Sequence, residues 1–380
     1  MKNKIEALYI HIPFCSSICI YCDFFKIINN DQKRKEYLHY LIKEAELKKN
    51  LFKDLKTIYI GGGTPSKITI PELYGDLSML LKIIYSGEAL NIEEFTFEVN
   101  PNDLTKEYLK ALTDIGVNRI SLGVQALDEN LLKFLRRSHK KAEIIKSIEI
   151  LKEEDFRNIS CDLMYGLPGD SWQRIKKDLD FMIKNQIPHI STYSLILEEK
   201  TILYALYKKG EYQIFDPDQE AKLYYKIVSY LKAHGYNHYE LSNFALPGYE
   251  AKHNLTYWEN KPYLGLGANA SYYYNNTRYT NINNFQKYYL GIDSKELIFL
   301  EKQNLSLKEQ MIEEFILGLR LEAGVDLKTF EEKFQASPFT IFPVLDKLIE
   351  EEKVIFSKNK FKISEKYLYT INSILVEFLD

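Results

Sequence analysis

The feature that most constrains this chain is one local pattern repeated from Tyr9 to Ile196. A short β-branched or aromatic run is followed by a turn rich in glycine and polar residues, and then by a stretch of helical periodicity. The runs fall at 9–12, 57–60, 95–99, 119–124, 159–164 and 190–196, with helical patterns over 33–50, 71–84, 105–115, 128–153 and 171–185. Six such units in succession predict an α/β fold with a parallel sheet and right-handed crossovers, open or curled into a partial (β/α)6 barrel. Ligands bind such sheets at the C-terminal ends of the strands. The cysteine-bearing loop after the first run, Gly61-Gly62-Gly63-Thr64-Pro65 after the second, Glu98, Gln125 and Asp162 are therefore expected to face one cavity.

A chain of 380 residues is longer than one core usually fills. We expect a partial barrel over 1–205, an extension over 206–300 that completes the core and flanks the site, and a C-terminal domain over 301–380. The extension carries a helical pattern over 218–234 and then aromatic, Asn- and Gly-rich sequence. The last part reads as helices over 307–321, 326–335 and 340–351, a hairpin over 354–363 and a closing helix over 366–379. Helices followed by a two-stranded wing suggest a winged-helix module. Its wing carries Lys353, Lys358, Lys360 and Lys362, but Glu350, Glu351 and Glu352 precede it, so the single-sign face that nucleic acid requires is missing.

With 27% charged and 46% hydrophobic residues the composition excludes a disordered or collagen-like chain, and a net charge of −3 exerts no global pull on nucleic acid or anionic lipid. No apolar run approaches the ~20 residues that span a bilayer. The charged start, Met1-Lys2-Asn3-Lys4, looks like the beginning of a signal peptide, yet His11 and Pro13 interrupt the apolar stretch behind it. A cytoplasmic protein is expected.

Three of the four cysteines lie within eight residues, as Cys15-x3-Cys19-x2-Cys22. In a reducing compartment such crowding argues for metal rather than disulfides. Zinc would want four ligands, usually as two separated pairs, and here there is no second pair and only His11 nearby. Three close thiolates suit an iron–sulfur cluster better, and a cubane held by three cysteines leaves one iron open to a small molecule. Cys161, alone in an apolar run, reads as a small buried hydrophobe.

At the cysteine motif the sequence resembles the radical S-adenosylmethionine (SAM) superfamily. Tyr9-Ile-His-Ile-Pro-Phe-Cys15, Tyr21-Cys22-Asp23-Phe24, Gly61-Gly-Gly-Thr-Pro65, Gly123-Val-Gln125 and Asp162-Leu-Met-Tyr-Gly-Leu-Pro168 extend the resemblance to the oxygen-independent coproporphyrinogen III oxidase family. His253-Asn-Leu-Thr-Tyr-Trp258 and Tyr263-Leu-Gly-Leu-Gly-Ala268 carry it into the middle region. Two departures separate the chain from the true oxidase: Phe24 stands where the oxidase has another cysteine, and only eight residues precede Tyr9. Both are similar to the haem chaperone branch of the family. The resemblance therefore implies a protein that binds a 4Fe–4S cluster, SAM and haem and transfers haem to an acceptor protein. Radical decarboxylation of two propionates of coproporphyrinogen III is the alternative.

Residue by residue, the resemblance implies that Cys15, Cys19 and Cys22 hold the cluster, with the methionyl amine and carboxylate of SAM on the open iron. Gly62, Gly63 and Thr64 would face the methionyl amine, and Glu98 a ribose hydroxyl or amine. Tyr9, Tyr21, Gln125, Arg137 and Asp162 would line the same cavity, with Tyr9 beside the cluster. In the oxidase, positions matching Tyr21, Gln125, Arg137 and Asp162 serve a second SAM. His253 is the candidate haem ligand, with Tyr257 and Trp258 to stack on the porphyrin. A flavodoxin or ferredoxin is the implied electron donor, and the C-terminal module is the implied lid or docking domain.

Overall fold

The computed structural model describes residues 4–85 and 90–379, so Met1-Lys2-Asn3 of the charged start lie outside the described residues. Strands β1 (Ala7–Ile12), β2 (Thr57–Gly62), β3 (Glu94–Val99), β4 (Arg119–Gln125), β5 (Ile159–Tyr165) and β6 (His189–Ser194) pair in sequence order, every neighbour parallel. The crossovers carry α1 (Asp31–Lys48), α2 (Ser78–Tyr85), α3 (Lys106–Asp114), α4 (Glu129–Phe134), α5 (Lys141–Glu153) and α6 (Trp172–Lys184). Several start where an Asn, Thr, Asp or Ser accepts from the first exposed amides: Asn30 for α1, Thr105 for α3, Asp128 for α4 and Ser171 for α6. These are the six units read from the sequence, within a few residues at each end once the helical turns Ile70–Glu72 and Leu73–Leu77 that lead into α2 are counted.

A strand's side chains alternate between the two faces of the sheet, so each strand sorts its residues into two sets. On β4, Ile120, Leu122 and Val124 are fully buried in the main core beneath the helices. The intervening Arg119, Ser121, Gly123 and Gln125 face the opposite side and line a cavity.

The middle region supplies strands to both edges of this sheet. After α7 (Ile202–Lys208) and α8 (Pro217–Ala233), β7 (Asn237–His238) and β8 (Asn243–Ala245) extend the β6 edge, with β8 antiparallel to β6. The chain then passes through α9 (Lys252–Trp258) to the far edge, where β9 (Tyr263–Leu266) runs parallel to β1. Antiparallel β10 (Ser271–Tyr274), β11 (Thr277–Asn281) and β12 (Phe299–Asn304) follow. The resulting twelve-stranded sheet has the order β12-β11-β10-β9-β1-β2-β3-β4-β5-β6-β8-β7.

A buried polar knot fastens β9 to α1. Glu44, with no exposed surface, accepts from Lys48, the Gly267 amide, Asn281 and the Tyr288 hydroxyl at 2.7–2.9 Å. Every lone pair of a buried carboxylate must be answered in this way. Gly267 sits at φ +101, and a Cβ there would lie 2.3 Å from the Tyr37 hydroxyl, so only glycine fits the turn.

The C-terminal part has its own core, centred on Phe315 with Phe330, Phe342, Phe361 and Phe378 around it. Two expectations for this part need correction. The helix expected over 340–351 is split into Pro338–Ile341 and Val344–Glu350, because Pro343 has no amide hydrogen to continue it. The closing helix expected over 366–379 is a series of short turns, Glu365–Tyr367, Ile371–Leu375 and Val376–Phe378. The wing gains a third strand: β13 (Val325–Asp326), β14 (Val354–Ser357) and β15 (Lys360–Ile363) pair in the order β13-β15-β14. On this wing Lys362 pairs with Glu322 and Lys353 with Glu351 and Glu377. Among the described residues no helix is long and apolar enough to cross a membrane.

Candidate active site

The loop that carries the three cysteines leaves the C-terminal end of β1. Phe14–Cys15 pairs with Ile27–Ile28, and the bonds Ile27 N–H to Pro13 O (2.7 Å) and Asn29 N–H to Cys15 O (2.8 Å) close residues 16–26 into a fixed loop over the sheet edge. Cys15, Cys19 and Cys22 all line one cavity of about 600 Å³. Burial first, and then the neighbouring thiols, push the Cys15 thiol up to about 11, although a contact from the Thr64 hydroxyl (3.5 Å) pulls the other way. Burial also raises the Cys22 thiol. Cys161 lies fully buried in the core, away from this group, as expected of a small hydrophobe.

Three thiols on one loop lining one cavity are a soft donor set of the kind that holds an iron–sulfur cluster. Among the described residues no group of three or more His, Cys, Asp or Glu side chains converges on a point where one metal ion would sit. A cubane has no such need, because each thiolate binds a different iron. Arg137 supplies a second observation. Among the described residues its guanidinium reaches Cys19 Sγ at 3.5 Å, bonds the neutral groups Asn100 Oδ1, Gly123 O and the Tyr21 hydroxyl, and leaves its buried Nε without a partner. A buried cation held by neutral groups beside thiols is completed by the negative charge of thiolates.

The glycine turn ends β2 directly opposite. Gly62 has φ +117, and a Cβ on it would lie 2.5 Å from the His11 ring. A Cβ on Gly63 would lie 2.9 Å from the Phe14 amide and 3.0 Å from Cys15 Sγ. The amides of this turn are all committed: Gly62 to Glu98 Oε2, Gly63 to Ile12 O and Thr64 to Phe14 O. It therefore has no free donor for an anion, which accords with a role toward an amine, a group that asks for acceptors.

Glu98 at the end of β3 accepts from the Tyr59 hydroxyl at 2.7 Å and the Gly62 amide at 3.0 Å. Burial pushes its carboxyl up to about 7 against the pull of these bonds. Asp162 on β5 accepts from Ser121 Oγ at 3.3 Å, and burial raises it to about 6. Gln125 holds a left-handed backbone at φ 69, where β4 breaks register with β5, and its Oε1 accepts from the Tyr193 hydroxyl. Tyr21 lines the same cavity.

The structure thus brings together Cys15, Cys19, Cys22, Tyr21, Gly62, Gly63, Thr64, Glu98, Gln125, Arg137 and Asp162. Two expected residues stand apart. Tyr9 is a layer behind: its ring packs 6.1 Å from Tyr59, and its hydroxyl donates to His11 Nδ1 at 2.8 Å while His11 Nε2 donates to Phe25 O. His253 also lies away from the cavity lining. Its ring is fully buried, with Nδ1 bonded to Thr57 Oγ1 (2.8 Å) and Nε2 to the Tyr257 hydroxyl (2.6 Å). Burial lowers its pKa to about 3, so the ring is neutral, and neither nitrogen has a lone pair open to haem iron. His253 fastens α9 under the sheet, where the α9 amides of Lys252 and His253 donate to Glu94. Trp258 is covered by Arg320, whose guanidinium lies 5.7 Å from the ring.

Sequence reasoning missed part of the cavity: Arg119 and Ser121 on β4, Ser160 on β5, and His189, Ser191 and Tyr193 on β6. The signal was present as a period of two. In a filled parallel barrel these inward positions carry Val, Ile and Leu, whereas Arg119-x-Ser121-x-Gly123-x-Gln125, Ser160-x-Asp162 and His189-x-Ser191-x-Tyr193 are polar.

Comparison with known proteins agrees with this geometry. The radical SAM superfamily matches residues 9–182 and the HemN C-terminal domain residues 305–366. The chain is 39% identical over 380 residues to the haem chaperone HemW of Lactococcus lactis, covering all of this chain and 98% of that protein. It is 41% identical over 354 residues to haem chaperone HemW of Bacillus subtilis, covering 92% of each. In fold it resembles the coproporphyrinogen III oxidase HemN of Escherichia coli, a radical SAM enzyme, with a TM-score of 0.84 at 22% identity over 99% of this chain and 90% of that one. The chain belongs to the radical SAM proteins of the oxygen-independent coproporphyrinogen III oxidase-like family, in its haem chaperone HemW branch.

Proposed function

We propose that this protein is a haem chaperone that binds a 4Fe–4S cluster, SAM and haem and hands haem to an acceptor protein. The observation that carries the reading is the likeness to the HemW relatives along the whole chain, with Phe24 rather than cysteine two residues after Cys22. Cys15, Cys19 and Cys22 hold the cluster, and the Arg137 cation offsets its charge. Glu98 and the turn at Gly62, Gly63 and Thr64 orient SAM by accepting from its hydroxyl or amine groups, with Tyr21, Gln125 and Asp162 on the far wall. When bound, the cluster supplies electrons to the SAM sulfonium or to haem, drawn from a flavodoxin or ferredoxin. The haem site is not built on His253. Phe24 and Ile196 line the mouth at 64% and 62% exposure, and a flat apolar macrocycle laid across them would remove that surface from water.

Anaerobic reconstitution followed by haem titration, transfer to an apo-acceptor and an assay with coproporphyrinogen III tests the reading. Saturable haem binding, transfer of haem and no protoporphyrinogen are expected. Protoporphyrinogen formation would replace the chaperone with the oxidase.

A further inference from the structure

The cavity does not stop at the strand ends. It continues down the inside of the sheet to residues near the starts of the strands, reaching Arg119, Ser160 and His189, with Asn254 of α9 beside them. Arg119 is 2% exposed, and among the described residues its Nη1 donates to neutral acceptors, Asn158 Oδ1 at 2.8 Å and Tyr249 O at 3.1 Å. Its Nη2, also buried, has no partner. Among the described residues no carboxylate forms an ion pair with it: Glu94 accepts from the α9 amides, and Asp162 accepts from Ser121 one inward position higher. The buried guanidinium feels the carboxylate of Asp162 without pairing with it and keeps an unanswered donor at Nη2, which an arriving anion would satisfy. The same cavity is lined by the Asn254 side-chain amide, which can donate to such an anion, and by Ser160 and Ser191, whose hydroxyls bond His189 Nδ1 and Asp162. His189 is neutral, held by burial well below its usual range, with its nitrogens on Ser160 and Tyr239.

We infer that this inner well is a carboxylate-binding site, in which Arg119 receives a carboxylate arm of a ligand that enters from the mouth. No residue assigned above to the cluster or to SAM takes part. The acid with a free arm in the proposed function is haem, through a propionate; the methionyl carboxylate of SAM, which the resemblance places on the open iron, is the alternative that the test separates. The inference deepens that function and rests on it only for the haem source.

The test uses reconstituted protein carrying Arg119→Gln, with Arg119→Lys as the variant that keeps the charge and Asn254→Leu as an independent change to the same well. Thermal unfolding and cluster absorbance confirm that each variant is folded and loaded. Haem is titrated against its dimethyl ester, and SAM against decarboxylated SAM. If a propionate occupies the well, wild type prefers haem to the ester by tenfold or more. Arg119→Gln then loses that preference with ester affinity unchanged, and Arg119→Lys keeps most of it. If the methionyl carboxylate occupies it, the same loss appears between SAM and its decarboxylated form. Equal preferences in wild type and Arg119→Gln for both pairs would mean that the well holds water, and would overturn the inference. Where Arg119→Gln does not fold, Asn254→Leu decides by the same comparison. Wild type that binds neither haem nor its ester would refute the haem reading alone, and the SAM pair would still decide the well.

Discussion

Glu98 gives the most quantitative prediction. An ordinary glutamate ionises near 4.5, and burial moves this one to about 7. At 1.36 kcal/mol per pKa unit the difference is about 3 kcal/mol. The sign follows from linkage. Below pH 4.5 the carboxyl is protonated in both folded and unfolded chains and costs nothing. Between 4.5 and 7 the unfolded chain ionises first, so folding stability falls as pH rises, and above 7 the loss is complete. Glu98→Gln removes the titration and keeps an acceptor for the Gly62 amide or the Tyr59 hydroxyl. In the cluster-free protein, kept reduced, urea unfolding should find the stability of the variant relative to wild type higher at pH 8 than at pH 5 by about 2–3 kcal/mol, on top of a pH-independent loss for the one donor left unanswered. The same variant should bind SAM more weakly, because an amide is a poorer acceptor for a ribose hydroxyl than a carboxylate. A variant whose stability relative to wild type is the same at both pH values would refute the argument that desolvation controls this group.

Three further outcomes are expected. Gly62→Ala should destabilise the protein by about 1–3 kcal/mol from its positive φ alone, with an added clash against the locked His11 ring, read by chemical denaturation; a neutral result would mean that the turn relaxes. His253→Ala should lower stability by about 2–4 kcal/mol through a buried cavity and two lost hydrogen bonds, while haem affinity and the Soret spectrum of the folded fraction stay unchanged; an altered spectrum would restore His253 to the haem site. Cys161→Ala should leave cluster absorbance intact, whereas serine at Cys15, Cys19 or Cys22 should abolish it.

Much of the fold was readable because six strand–helix units carry strong local signals: β-branched runs, glycine stops and capping side chains. The strands of the middle region were not, because β7 and β8 are two and three residues long and β9 to β12 are aromatic and polar. Their pairing is decided by distant partners, β9 by β1 and β8 by β6, which no local window contains. At the site, chemistry concentrated at strand ends was found from the C-terminal-edge rule. Arg119, Ser160 and His189, at or next to strand starts, escaped that rule, although their alternation with apolar residues marked a polar inner face. The sequence neighbours of His253 suggested haem, and only the fold shows that Thr57 and Tyr257 bond both of its ring nitrogens.

The position of β9 has a consequence for how the chain is made. Ala7–Ile12 is synthesised well before the strand that covers one of its two edges, which lies some 250 residues later. At roughly 5–20 residues per second of synthesis, that edge waits on the order of 10–50 s for its partner. Through that interval a nearly all-apolar strand has an open row of backbone donors and acceptors, the kind of surface that recruits other chains. Helper proteins that bind nascent polypeptides should therefore engage the segment around Ala7–Ile12 and release it only after Leu266 has emerged.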